Sequence, residues 1–402
     1  MDNSLLVSRT ETQAGREDEE PRFVMLETIR EYASERLESR GEDEDIQRAH
    51  ALFYLSLAEA TQPETLARTQ QEWWWTRLEE EHDNLRTALR WTLQNREVEI
   101  GTRFGPTLWR FWATRHPGEG RRYLEAVLAL ERTDNRRRIG GVEAGLPGRR
   151  RAYLLLVSGM LAARNGDYDQ ASAQYEESLA LYRSVDYRKG THGPLRELGV
   201  IAYLQGDYER AVLLNEQALA VAREFGSEFG SSLAVCNLAD ALRARGDLER
   251  SRNLLDESLA SLRRGEQRML VITNALVNTL NRLGSIQCAL GEGVRAAESY
   301  GESLDLIWRS VGKAFEAVAC LEGMARVAAI QDKPELAARL LCASATLRDE
   351  MGAPLSPIVQ ADHAFAANAA REALGEEVFQ TAWSAGHAAP LDESFSDALA
   401  AF

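Results

Sequence analysis

Four carboxylates and an imidazole stand together at Glu79-Glu80-Glu81-His82-Asp83. Carboxylates in such a group can serve acid–base chemistry, and a histidine among them can complete a metal site. The group lies within WWWTRLEEEHDNLRTALRWTLQN, which carries helical periodicity. On a helix Glu79 and Asp83 share a face, whereas Glu81 and His82 point elsewhere. A helix cap or a solvated surface is therefore expected here, with no catalytic and no metal site.

Other chemistry fails on spacing. Cys236, Cys288, Cys320 and Cys342 stand 22 to 52 residues apart and form no CxxC pair, so buried free thiols are expected. The histidines at 50, 82, 116, 192, 363 and 387 are scattered, and HExxH and GxSxG do not occur. A phosphate-binding loop needs GxxxxGK[ST]. The nearest approach, IWRSVGKAF, has Ile307 in place of the first glycine and Ala314 in place of the hydroxyl residue. Neither an enzyme nor a cofactor is expected.

Composition narrows the partners. The 402 residues carry a net charge of −15, which disfavours direct nucleic-acid binding. Lysine occurs only at 189, 313 and 333, so arginine supplies almost all the positive charge; a base-composition bias of the genome is the expected cause. The segment MDNSLLVSRTETQAGREDEE has no apolar signal core, and no run of 18 apolar residues occurs, so a soluble cytoplasmic protein without membrane contact is expected. Ten prolines and an excess of Ala, Leu, Glu and Arg favour helix.

What must position any site is a repeat. The segments NGDYDQA (165–171), QGDYERA (205–211), RGDLERS (245–251), LGEGVRA (290–296) and QDKPELA (331–337) recur at steps of 40, 40, 45 and about 41 residues. Arg245-Gly246-Asp247 is one member of this series, so an adhesion role for the tripeptide is not expected. Each glycine can end a helix in the left-handed conformation, and the acid after it can cap the next. Small residues recur around each turn, as Gly159/Ala171/Ser178, Gly199/Ala211/Ala218, Ala239/Ser251/Ser258, Gly284/Ala296/Ser303 and Ala325/Ala337/Ser344. Helices cross closely only where side chains are small. Each unit is read as an amphipathic helical hairpin, and stacked hairpins can cover each other's apolar faces.

These spacings resemble the tetratricopeptide repeat, with longer units, over residues 151–348 as five copies. In such arrays the first helix of each hairpin lines the inner face of a superhelix. The register places Arg196 and Tyr203, then Asn237, Asp240 and Arg243, then Asn278, Asn281 and Ser285, then Glu322 and Arg326 on that face. Amide and guanidinium groups suit a peptide backbone or carboxylate, so a protein or peptide partner in the groove is expected.

Four further regions surround the array. Residues 1–48 hold SLLVS and PRFVML, read as a hairpin, and ETIREYASERLESRG, read as a helix with Ile29, Tyr32, Ala33 and Leu37 on one face. Residues 49–131 read as helical hairpins with bulky tryptophan cores, although Trp73, Trp74 and Trp75 cannot all face inward. Residues 132–150, rich in Gly and Arg, read as a flexible linker or long loop. Residues 349–402 read as a C-terminal helical cap.

The ordered segments RFVMLETIREYASERL, EEEHDNLRTALRWTL, EGRRYLEAVLAL, CLEGMARVAA and AWSAGHAAPLDESFSDAL resemble the C-terminal half of LuxR/AfsR-type bacterial transcriptional regulators of the STAND class. That resemblance implies a repeat arm that senses a partner and restrains an NTPase. It also implies that residues 1–48 are a partial winged-helix remnant. The NTPase module and a DNA-reading domain are not evident in this chain, so an NTPase or DNA-binding protein acting in trans is the expected further partner. The fold class expected is all-α, a tetratricopeptide-like superhelix with a small N-terminal β-hairpin/helix. The function expected is a non-enzymatic binding scaffold for signal transduction. The alternatives are a small-molecule sensor and a truncated remnant without independent function.

Overall fold

The computed structural model describes residues 6–9, 22–25, 27–60, 75–137, 145–264, 270–311, 315–351, 357–388, 393, 396–398 and 400. Strands β1 (Leu6–Arg9) and β2 (Arg22–Met25) pair antiparallel, with Leu6 opposite Met25. Helix α1 (Glu27–Arg40) ends at Gly41, whose φ of 67° is the left-handed conformation of a C-terminal cap. Its predicted apolar face is only partly covered, since Tyr32 is exposed.

The N-terminal helices are α2 (Asp43–Glu59), α3 (residues 75–80), α4 (His82–Gln94), α5 (Val98–Arg115) and α6 (Pro117–Arg137). They close around Leu55, Leu85, Trp91, Phe104, Phe111, Trp112 and Leu124. Trp73 and Trp74 lie outside the described residues, while Trp75 stacks on Phe111 with ring centroids 6.2 Å apart. The tryptophans at 91 and 112 therefore fill a core and do not line a ligand cavity.

Within the segment read as a linker, 132–150, the described residues are helical. Helix α6 runs to Arg137 and α7 (Gly145–Arg164) begins before the predicted end, leaving 138–144 outside the described residues. Arginine is a good helix former, so the two basic runs extend helices that the glycines alone would interrupt. Leu154, Leu155, Val157 and Leu161 of α7 belong to the same core as α4–α6, so the N-terminal helices and the array share packing.

Five hairpins follow in register. They are α7 with α8 (Tyr168–Ser184), α9 (His192–Leu204) with α10 (Tyr208–Glu224), and α11 (Glu228–Ala244) with α12 (Leu248–Arg264). Then come α13 (Leu270–Ala289) with α14 (Gly293–Leu306), and α15 (Phe315–Ile330) with α16 (Pro334–Met351). Gly166, Gly206, Gly246 and Gly291 all have φ between 78° and 83°. At each turn the N–H after the glycine bonds back five residues, as Asp247 to Leu242 at 2.9 Å, while the glycine N–H bonds back three, as Gly246 to Arg243 at 2.9 Å. This is the Schellman arrangement. The fifth turn keeps it without glycine, because Asp332 itself adopts φ 60°. The Asp167 and Asp207 side chains cap α8 and α10 by accepting from Gln170 and Arg210 N–H.

The small residues sit where the helices touch. A Cβ on Gly159 would meet the Tyr175 ring at 2.5 Å, and one on Gly284 would meet the Tyr300 ring at 2.7 Å. Tyr300 does more than its own hairpin requires. Its other face lies against Gly323 of α15, so one buried ring is wedged between glycines of two successive hairpins.

Successive first helices pack directly on one another, as α9 on α11, α11 on α13 and α13 on α15. Second helices are spanned by long ion pairs: Arg210–Glu176 at 3.5 Å, Arg223–Glu257 at 2.7 Å, Arg250 with Glu216, and Arg263–Glu302 at 2.5 Å. Direct packing inside and long side chains outside put the first helices on the tighter curve. The arginines, read in the sequence as a genomic bias, thus have a structural use along the outer side.

The cap is α17 (Pro357–Ala388), broken at Gly375, where φ is 72° and ψ 163°. Its first arm carries His363 and Phe365 to α15. Its second arm lies on α16, with Gly386 so close to the Arg339 backbone that a Cβ would sit 2.7 Å from the carbonyl oxygen. Beyond it Asp397 accepts from Arg339 at 2.7 Å, and the remainder of the predicted last helix lies outside the described residues.

Candidate functional site

The first helices carry a row of polar side chains from α9 to α17. On α9, Arg196 pairs with its neighbour Glu197, and its Nε, buried, has no hydrogen bond. Tyr203, the penultimate residue of α9, accepts from Arg243 of α11. Burial, with Asp240 adding to it, raises the Tyr203 phenol above its ordinary value against the opposing pull of Arg243. The hydroxyl therefore stays protonated and can donate as well as accept.

The centre of the row is a charge-assisted network. Arg282 of α13 donates from Nε to Asp240 Oδ2 of α11 at 2.9 Å, and from Nη1 to Asn278 Oδ1 at 3.2 Å. Asn278 in turn donates to the Asn274 carbonyl at 2.9 Å. Beneath it Ser232 and Thr279 hydroxyls meet at 3.2 Å, and Thr279 lies 3.7 Å from Cys236 Sγ. Asn237 and Ser285 flank this network, both half-buried.

The predicted row is not uniform. Asn281 and Glu322 occupy one register position, and both turn inward to their own second helix. Ser303 donates to Asn281 Oδ1 at 2.7 Å, and Ser344 donates to Glu322 Oε1 at 2.8 Å. Those serines are the third small residues of their repeats, so the position faces the hairpin seam and away from the groove. Arg326 does stay on the open side, over the exposed Phe365 ring at 5.4 Å.

Sequence reasoning missed Arg282, Arg348 and His363. Arg282 shares the register of Asn237, two residues before the small position, and that equivalence could have found it. Arg348 Nε and His363 Nδ1 approach Glu322 Oε1 at 3.6 and 3.5 Å without a hydrogen bond. Glu322 is 0% exposed, and its Oε2 has no partner either. The four cysteines are buried and free, as expected, and burial pushes the Cys320 thiol up to about 12. A thiolate nucleophile is therefore not formed there.

Family models described as tetratricopeptide repeat match residues 150–224 and 234–265. Those two stretches carry tetratricopeptide repeats. Among curated proteins, relatives named as HTH-type transcriptional regulators from Mycobacterium tuberculosis and Mycobacterium bovis are 29% identical over 165 residues. That match covers 41% of this chain and 18% of each relative, so it spans under a fifth of their length. Among solved structures, a Rap protein complexed with competence and sporulation factor superposes with a TM-score of 0.50 at 11% identity, covering 90% of this chain and 99% of that one. The apo quorum sensor NprR from B. thuringiensis gives 0.47 at 14% identity, covering 90% and 94%. At 11% identity the likeness to the Rap protein is one of fold. Among the described residues no helix is long and apolar enough to cross a membrane.

Proposed function

We propose that the chain is a non-enzymatic scaffold that binds a protein or peptide segment along its first helices. The observation that carries this reading is the polar row crossing helix boundaries at Tyr203–Arg243 and Asp240–Arg282. Such groups can satisfy a peptide backbone that would otherwise lose its water contacts. The half-buried Arg243, Arg282 and Arg326 favour a segment with carboxylates. The Rap protein of the same fold was solved with a bound factor, which supports occupancy of such a groove.

The relatives and the repeat organisation favour a place in a transcriptional regulator. In this reading the array is the sensory arm of a STAND-type, LuxR/AfsR-like regulator, cytoplasmic, with β1, β2 and α1 as part of a winged helix. An NTPase, in cis or in trans, is the element it controls.

Panning a randomised peptide library on the full chain tests the groove. Enriched peptides should lose binding in Arg243→Glu and Arg326→Glu while the melting temperature holds. Equal binding by both variants would sink the reading. Co-purification with an NTPase region from the same genome tests the regulatory part separately.

A further inference from the structure

The strongest unused cluster lies far from the groove, among the N-terminal helices. The Glu79 carboxylate and the His82 and His116 imidazoles offer ligand atoms that all fall within 4.8 Å of one another. Two separate segments supply them. Glu79 lies in the last turn of α3 and His82 opens α4, three residues on and therefore its neighbour. Asp83, expected in the sequence to share the face of Glu79, points to solvent at 97% side-chain exposure. His116 comes from the junction of α5 and α6. Pro117 follows it and biases it toward extended backbone, and its φ of −138° and ψ of 52° are non-helical. The junction is further fixed by its carbonyl accepting from Glu119 and Gly120 N–H at 3.0 and 3.1 Å.

The side chains are arranged as a ligand set. The two imidazoles stack with centroids 3.9 Å apart and an interplanar angle of 29°. His116 Nε2 lies 3.3 Å from Glu79 Oε1, and His82 Nε2 lies 3.0 Å from Glu119 Oε1. Ligand atoms bonded to one tetrahedral zinc at about 2.0–2.1 Å stand roughly 3.3 Å apart, so these pairs are already near the required separation. Glu79 is the most exposed member of the set, with a side chain 42% exposed.

The surroundings complete the case. Arg86 holds the second oxygen of Glu119 at 2.7 Å and orients that carboxylate beside the ligands. Phe111 backs the pair, edge-on to His82 at 5.4 Å and tilted to His116 at 5.2 Å, with Trp75 stacked behind.

The geometry points to a structural divalent transition-metal site, suited to zinc, with Glu79, His82 and His116 as ligands and Glu119 as the fourth ligand or its hydrogen-bonded neighbour. Such a site joins the α3–α4 turn to the α5–α6 junction. It is a staple for the N-terminal helices and carries no substrate chemistry.

Titration of the chelator-stripped full chain with zinc chloride tests it. One equivalent should bind, and the melting temperature should rise with it. His116→Asn should weaken binding by about 100-fold and Glu79→Gln by about 10-fold, the range that metal-site changes commonly produce. Circular dichroism of both variants without zinc keeps folding separate from binding. Should His116→Asn not fold, Glu79→Gln alone decides, because its side chain is half-exposed. Cobalt loading should give the visible absorption of a tetrahedral N/O site. Absence of a saturable equivalent, or unchanged affinity in folded variants, overturns the proposal.

Discussion

Two polar joints of the array solve the same problem differently. Between α11 and α13, Asp240 meets Arg282 at 2.9 Å, and Asn278 and the Ser232–Thr279 pair complete the network. Where α15 meets α16 and the cap helix α17, Glu322 has one good partner, Ser344, while Arg348 and His363 stand at 3.6 and 3.5 Å without hydrogen bonds. A fully paired polar network rigidifies its joint, whereas a partly paired one loses little when rearranged. The central joint is therefore expected to hold, and the C-terminal joint to be the one that can shift. Arg326 and Phe365 on the groove side belong to the joint that can shift.

The sharpest break in this comparison would come at the joint between the two. There the fit is steric, with Tyr300 wedged between Gly284 and Gly323. Gly323→Ala should cost about 3 kcal/mol, the upper end for overpacking a filled core. Urea unfolding should show it, and a loss under about 1 kcal/mol would mean that the α13–α15 joint yields.

Asp240→Ala comes next. It strands Arg282, whose side chain is only 22% exposed. Loss of a buried partner costs about 3–5 kcal/mol, and the partial exposure of Arg282 reduces this to about 2. Glu322→Gln should cost less, about 1 kcal/mol or below, since an amide keeps the Ser344 bond and removes a poorly paired buried charge. The order of these two tests the comparison directly: equal losses would mean that both joints are equally committed. Arg223→Ala marks the low end. Its pair with Glu257 on the outer side is solvent-exposed and should contribute about 0.5 kcal/mol or less.

The repeat was legible because backbone constraints recur in sequence. Gly166, Gly206, Gly246 and Gly291 announce left-handed turns, and even Asp332 could be placed by phase alone. The small residues were legible as contact points for the same reason. The groove was read less well. Asn281 and Glu322 look like groove residues until Ser303 and Ser344 are recognised as their hydrogen-bond partners, not merely as small side chains. Arg282, Arg348 and His363 were missed because their partners stand 42, 26 and 41 residues away, and no local pattern encodes such distances. Glu79 and His82 were assigned to different faces because the segment was judged by its four-residue spacing alone. His116, from another helix junction, completes their cluster only in three dimensions.

The direct stacking of first helices also sets a ruler. Packed helix axes lie about 8–10 Å apart, so the three steps from α9 to α15 span about 24–30 Å. An extended chain advances at most about 3.3–3.6 Å per residue. A segment lying across these four helices is therefore about seven to nine residues long. Shorter segments would leave one joint untouched, and those that stop before α15 would never reach the joint that can shift.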